Sequence, residues 1–157
     1  MKHLSLYCIA LLTVSAVRLP AQDANARIDA GKQVYMTVCF ACHQPTGMGL
    51  PNMFPPLAAS DWVNVPKPDR MIRMVLHGFM GPITLNGKPF NTPAPLMPPQ
   101  GAALNDQQIA DVLTFVRASF GNTAGAVTPD EVKAIRTAEA ARTAMWTEAE
   151  LQKIPVH

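Results

Sequence analysis

The sequence predicts a mostly α-helical domain with long loops, a small β-hairpin and a helical tail, on three observations. Apolar residues recur at three- and four-residue spacing in stretches beginning near Ile28, Pro68 and Asn105. The chain has 15 prolines, many of them crowded into the segments between those stretches. Aromatic residues make up only 6% of a chain that is 48% apolar, which leaves few large side chains for its centre. That much loop is more than a body of 157 residues normally tolerates. A large apolar cofactor at the centre would account for it.

The N-terminus sets the destination. Lys2 and His3 precede an apolar run from Leu4 to Val17, broken only by Ser5, Thr13 and Ser15. The run is short for a bilayer span and fits the apolar region of a secretory signal. Cleavage is expected after Ala21, with an uncleaved anchor as the alternative; Cys8 lies too early for lipid attachment. The expected division is a signal peptide over 1–21, a domain over 22–125 and a helical extension over 126–157. The product is then exported, to a periplasm or beyond. Without Lys2 and Arg18 the 13 basic residues fall to eleven, equal to the 11 acidic ones. A neutral chain with no clustered basic face excludes nucleic acid as a partner.

Asp23 to Arg27 reads as a polar leader, and Ile28, Gly31, Val34, Tyr35 and Val38 predict a helix over 28–38. Gly47, Gly49, Pro51, Pro55 and Pro56 make the next stretch a loop. Pro68, Asp69 and Arg70 open a second helix carrying Met71, Ile72, Met74, Val75 and Leu76, which Gly78 closes. Asn86-Gly87 between apolar residues predicts a tight hairpin over 83–90, kept to a small edge ribbon by Pro89. Residues 91–101 are again proline-rich loop. Asn105 with Gln108 forms a capping box for a third helix, whose stripe is Ile109, Val112, Leu113, Phe115, Val116 and Phe120 and whose stop is Gly121. After a linker, Thr128-Pro129-Asp130-Glu131 starts a helix expected to run to Ala144, and Thr147 to Glu150 caps a last turn.

Cys39-Phe40-Ala41-Cys42-His43 carries the chemistry. Two residues between the cysteines put both thiols on one side of a helical turn, spaced for thioethers to the two vinyl groups of one haem. The adjacent histidine can reach the iron from the same face. Other readings explain less. A structural zinc site needs four ligands, and the chain after the leader offers one cysteine pair with His43, His77 and His157 scattered. A thioredoxin-like pair expects parallel sheet. A disulfide leaves His43 and the undersized core unexplained. One covalently bound haem c is the expected cofactor.

With these residues the chain resembles class I cytochromes c over approximately 28–121. The matching parts are the helix with Gly31 and Tyr35 leading into the motif, Gly47-Met48-Gly49-Leu50-Pro51, Phe54-Pro55-Pro56-Leu57-Ala58, Met97-Pro98 and the helix from Leu104 to Arg117. It is similar in particular to bacterial cytochromes found alone or fused to membrane-associated dehydrogenases and oxidases. The resemblance implies a cytochrome c-like orthogonal helical bundle around one haem c. Its first and last helices would cross, with Gly31 allowing close approach to Val112 and Phe115.

A sixth ligand is expected among the methionines, whose soft sulfur favours reduced iron and suits an electron carrier. Met36 precedes the motif, Met48 and Met53 follow His43 too closely, Met71 and Met74 read as core, and Met145 sits in the tail. Met97 remains, with Met80 or His77 as alternatives. Pro93, Pro95, Pro98 and Pro99 would stiffen the Met97 loop, and the family pattern puts its ligand there. By resemblance, the Pro51 carbonyl would accept the His43 Nδ1 proton. Trp62 either donates its indole N–H to a haem propionate or is a core aromatic.

These readings imply a one-electron carrier rather than an enzyme, meeting redox proteins through a haem edge rimmed by Met48, Leu50 and Met80. The alternatives are a cytochrome c subunit of a membrane-associated dehydrogenase or oxidase, docked through residues 122–157, and a haem enzyme or gas-binding protein with an open sixth site. For a neutral chain, rates of electron exchange with partner proteins are expected to change little between low and high ionic strength. Stopped-flow measurement over a salt series checks this.

Overall fold

The computed structural model describes residues 21–90 and 96–157. The leader expected over 1–21 therefore lies almost wholly outside the described residues, as do Pro93 and Pro95. Helix α1 (Ala21–Val34) runs without interruption into a π-turn (Tyr35–Cys39) and a final α turn, α2 (Phe40–His43). The helix thus starts earlier than the expected Ile28, because the alanine-rich stretch before it contains no breaker. It also continues past Val38 to His43. What ends it is Gln44 at φ 62°, ψ 158°, a conformation costly for any residue but glycine. The Tyr35 hydroxyl donates to the Gln44 carbonyl at 2.7 Å and holds the reversal in place.

Helix α4 (Asp106–Arg117) begins as the sequence predicts: Asn105 Oδ1 accepts from Gln108 N at 2.9 Å, and Gln108 Oε1 accepts from Asn105 N at 3.0 Å. It packs against α1 at Gly31, where a Cβ would stand 2.0 Å from the Asp111 carbonyl oxygen and 2.9 Å from Phe115 Cβ. Only glycine allows that approach. The partners are Asp111 and Phe115 rather than Val112 and Phe115. One turn earlier, Arg27 Nε bonds Asp111 Oδ1 at 2.8 Å. Helix α4 stops at Arg117, short of Gly121, because Phe120 already turns the chain at φ 58°. Tyr35, Phe115 and Phe120 stack in a triangle with ring centroids 5.3–5.4 Å apart, which binds that turn to the π-turn after α1.

Helix α3 (Asp69–His77) starts and stops where expected, burying Met71, Ile72, Val75 and Leu76. Strands β2 (Ile83–Leu85) and β3 (Lys88–Phe90) form the hairpin over Asn86 at φ 50° and Gly87 at φ 74°, the tight turn that Asn-Gly favours. Strand β1 (Phe79–Met80) pairs antiparallel with β4 (Leu96–Met97), so Met97 sits in a short strand rather than a free loop.

Two apolar clusters result. The first joins α1, α3 and α4 and includes Val127, Val132 and Ile135; the second gathers Phe79, Ile83, Leu85, Trp146 and Leu151. The segment beyond 125 therefore supplies side chains to both. Helix α5 (Pro129–Ala138) ends six residues before the expected Ala144. Beyond it, the Arg142 guanidinium bonds the carbonyls of Ala144 and Met145 at 2.9 and 3.0 Å, turning the chain so that Trp146 enters the second cluster.

Arg117 is 1% exposed and, among the described residues, has no carboxylate on its guanidinium. Instead Nε donates to Gly125 O at 2.6 Å, Nη1 to Val63 O at 3.0 Å, and Nη2 to Val65 O at 2.9 Å and Pro66 O at 3.2 Å. Burial pushes its pKa down. One cation thereby ties α4, the loop before α3 and the linker before α5 into one joint.

The last turn, α6 (Glu148–Leu151), carries a pH-sensitive cap. The Thr147 hydroxyl and backbone N–H donate to Glu150 Oε2 at 2.8 and 2.9 Å, and Arg142 to Oε1 at 3.0 Å. These donors, the Thr147 hydroxyl foremost, pull the Glu150 pKa from 4.5 down to about 2. A depressed carboxylate stabilises the fold above its unfolded pKa and loses that contribution as pH falls through the folded one. Glu150→Gln is therefore expected to flatten the acid limb of stability between about pH 4.5 and 2. Chemical denaturation across that range checks it.

Candidate functional site

Cys39 ends the π-turn, and Cys42 and His43 end α2. π-turns occur often at functional sites, and nothing in the local sequence announces this one. All three residues border one cleft, of about 1150 Å³ counting its open mouth. Its walls are almost wholly apolar: Leu57, Val63, Met71 and Val75 on one part, Phe79, Ile83, Leu85 and Trp62 on another, Val112, Leu113 and Val116 from α4. Met97 lines it from β4.

His43 Nδ1 lies 3.0 Å from the carbonyl oxygen of Pro55, to which it donates. That corrects the expected acceptor, Pro51. Gly49, at φ 62°, would bring a Cβ within 2.2 Å of the Phe54 carbonyl oxygen, and Leu50 and Phe54 exchange two backbone hydrogen bonds of 2.9 Å. This closes residues 50–54 into a tight turn with Pro51 exposed at its tip. The chain then returns with Pro55 beside the imidazole. The Pro55 bond fixes the tautomer and leaves the Nε2 lone pair for a metal. Burial lowers the His43 pKa, the Pro55 bond partly opposing it, so the ring is neutral in neutral solution. Burial, helped by the neighbouring Cys42, pushes the Cys39 thiol up to about 11.

Trp62 lines the cleft with its ring, but its Nε1 donates to the Thr84 carbonyl at 2.8 Å. The indole N–H is thus already used in this structure rather than free for a propionate, and Trp62 is half-buried against the second apolar cluster. Of the three candidates for a sixth ligand, Met97 lines the cleft, Met80 is 47% exposed outside it, and His77 faces Glu139, 3.5 Å away. Met48, Leu50 and Met80, the expected rim, are exposed but do not line the cleft; Met53 and Leu96 are exposed and do line it. Sequence reasoning missed Pro55, although Pro55-Pro56 stood in the pattern it singled out.

A porphyrin fits this arrangement. The cleft's walls are almost wholly apolar, and the groups on it that could hold a porphyrin are two thiols, an oriented imidazole and a thioether. The two cysteines are not joined as a disulfide. Among the described residues no group of three or more His, Cys, Asp or Glu side chains is placed to hold a metal ion. No helix among them is long and apolar enough to cross a membrane.

A family model described as Cytochrome c matches residues 28–120. The chain is 38% identical over 115 residues to the cytochrome c subunit of alcohol dehydrogenase (quinone) from Gluconacetobacter polyoxogenes, covering 73% of this chain and 24% of that one. It is 40% identical over 111 residues to the gluconate 2-dehydrogenase cytochrome c subunit of Pantoea cypripedii, covering 69% and 24%. The chain thus spans about a quarter of the length of these dehydrogenase subunits. With a cytochrome c-552 of Thermus thermophilus it shares 31% identity over 132 residues, covering 79% of this chain and 85% of the relative.

Proposed function

Because this chain belongs to the cytochrome c family, whose domain binds haem and transfers electrons, we propose that it is an exported mono-haem electron carrier. Cys39 and Cys42 would tether the haem, and His43 and Met97 would supply ligands to its iron. The observation that carries this reading is the apolar cleft onto which both thiols, the imidazole and the Met97 thioether all open. When bound, the haem supplies a one-electron iron couple. The chain's own residues do the rest. Pro55 orients His43, the apolar walls exclude water, and the exposed Met53 and Leu96 at the cleft offer partners an apolar edge. Alignment over 85% of a cytochrome c-552 supports a free-standing carrier.

A second reading, a subunit that passes electrons from a dehydrogenase, is supported by the likeness to dehydrogenase cytochrome subunits. Size-exclusion chromatography of native extract separates the two. The ligand assignment is tested on the purified holoprotein by a pyridine haemochrome spectrum and intact mass, expected to give one covalent haem per chain and no leader. The oxidised protein is expected to show the weak visible band of sulfur–iron ligation, and Met97→Ala to abolish it. A spectrum in which that band survives the substitution overturns Met97 as ligand.

A further inference from the structure

The strand that carries Met97 is too short to hold itself. Among the described residues β4 is two residues long and pairs with β1, also two residues, and an isolated two-stranded ribbon is marginal in water. The other edge of β1 is taken by the C-terminal segment. Phe79 bridges Trp146 in parallel; Trp146 N donates to Gly78 O at 3.0 Å, and Met80 N donates to Trp146 O at 2.8 Å. Trp146, β1 and β4 therefore form three adjacent extended segments, with Met97 on the third.

Packing runs the same way. Trp146 is 8% exposed and Leu151 0% exposed; both sit with Phe79 in the second apolar cluster, against which Met97 also packs. Arg142 caps the indole, its guanidinium carbon 3.5 Å from the ring centroid. At the turn before β1, a Cβ on Gly78 would lie 2.7 Å from the Met97 carbonyl oxygen, so β4 is pressed directly onto the backbone that Trp146 fastens. Trp146 and Leu151 lie beyond residue 120, where the family match ends.

We propose that Trp146 is a positioning residue for Met97: through β1 it stiffens the β4 strand and keeps the thioether at the iron against competing ligands. The proposal rests on the assignment of Met97 as axial ligand. It makes residues 126–157 part of the cofactor site rather than an appendage. If the strand loosens, the sixth position is open for a larger fraction of the time, and an external ligand gains apparent affinity in proportion to that fraction.

The experiment uses the full-length holoprotein and imidazole as the probe, with Trp146→Ala, Leu151→Ala, Trp146→Phe and Met97→Ala. Trp146→Ala is expected to keep its covalent haem, to weaken the sulfur–iron band and to bind imidazole about tenfold more tightly than wild type, following the open fraction. Leu151→Ala shifts both readouts in the same direction and serves alone if Trp146→Ala does not accumulate. Trp146→Phe, which keeps an aromatic ring in the cluster, restores imidazole affinity to within about twofold of wild type on the same relation. Imidazole affinity and band unchanged in both alanine variants, even with a lowered melting temperature, would make the segment merely structural and overturn the proposal. A wild-type band that survives Met97→Ala overturns the ligand assignment itself, and the positioning role with it. The two failures are thus told apart by the Met97 variant alone.

Discussion

Replacing Cys39 and Cys42 together with alanine is expected to give protein without a covalent porphyrin, its intact mass lower than that of wild type by one haem beyond the two lost sulfurs. Each thiol would close one thioether, and both stand at the ends of neighbouring turns bordering the same cleft. Once both are gone, only coordination by His43 and Met97 and apolar contact would retain the cofactor. Acid–acetone extraction, which leaves thioether-bound haem on the protein, then strips the colour from the double variant and not from wild type. The single variants are expected to fall between, with one thioether and a haemochrome band shifted toward that of haem with an unreacted vinyl. Full colour surviving extraction of the double variant would remove the attachment proposal entirely.

Arg117→Ala is expected to lower unfolding stability by about 3 kcal/mol, since a hydrogen bond from a charged donor contributes about 1.5–3 kcal/mol and the one to Val63 is fully buried. The size follows from what is left behind. Four carbonyls, on Val63, Val65, Pro66 and Gly125, lose their donor together, and each buried acceptor left unpaired costs about 1–3 kcal/mol, less where water can enter. A cavity the size of the guanidinium adds to that. Arg117→Lys keeps the charge but offers a single ammonium to acceptors arranged around a planar fork, so its stability should lie between the two. Urea denaturation gives both numbers. A loss below about 1 kcal/mol for the alanine variant, the worth of one ordinary hydrogen bond, would mean the joint is not holding the three segments.

What could be read from the sequence was local. Asn105 with Gln108, Pro68 before α3, Gly78 after it, and Asn86-Gly87 each decide an element within four residues, and each stands where expected. The motif was legible for the same reason, since two thiols and an imidazole within five residues need no tertiary information. The misreadings share the opposite cause. The His43 acceptor depends on Leu50 closing against Phe54, and the Trp62 partner is Thr84, 22 positions away. The backing of β1 comes from Trp146, whose parallel bridge to Phe79 no periodicity could disclose. The π-turn before Cys39 widens a helix whose apolar spacing reads as ordinary.

The Pro55 carbonyl beside His43 carries a consequence for the direction of electron flow. A carboxylate in that place would draw the ring proton and lend the imidazole partial anionic character, making it a strong electron donor to iron. A neutral amide carbonyl polarises the ring far less. With a haem bound, a weakly donating imidazole from His43 and the thioether proposed from Met97 would both leave ferric iron poorly compensated and ferrous iron comparatively content. Electrons would then run downhill onto such a centre and leave it only toward stronger oxidants.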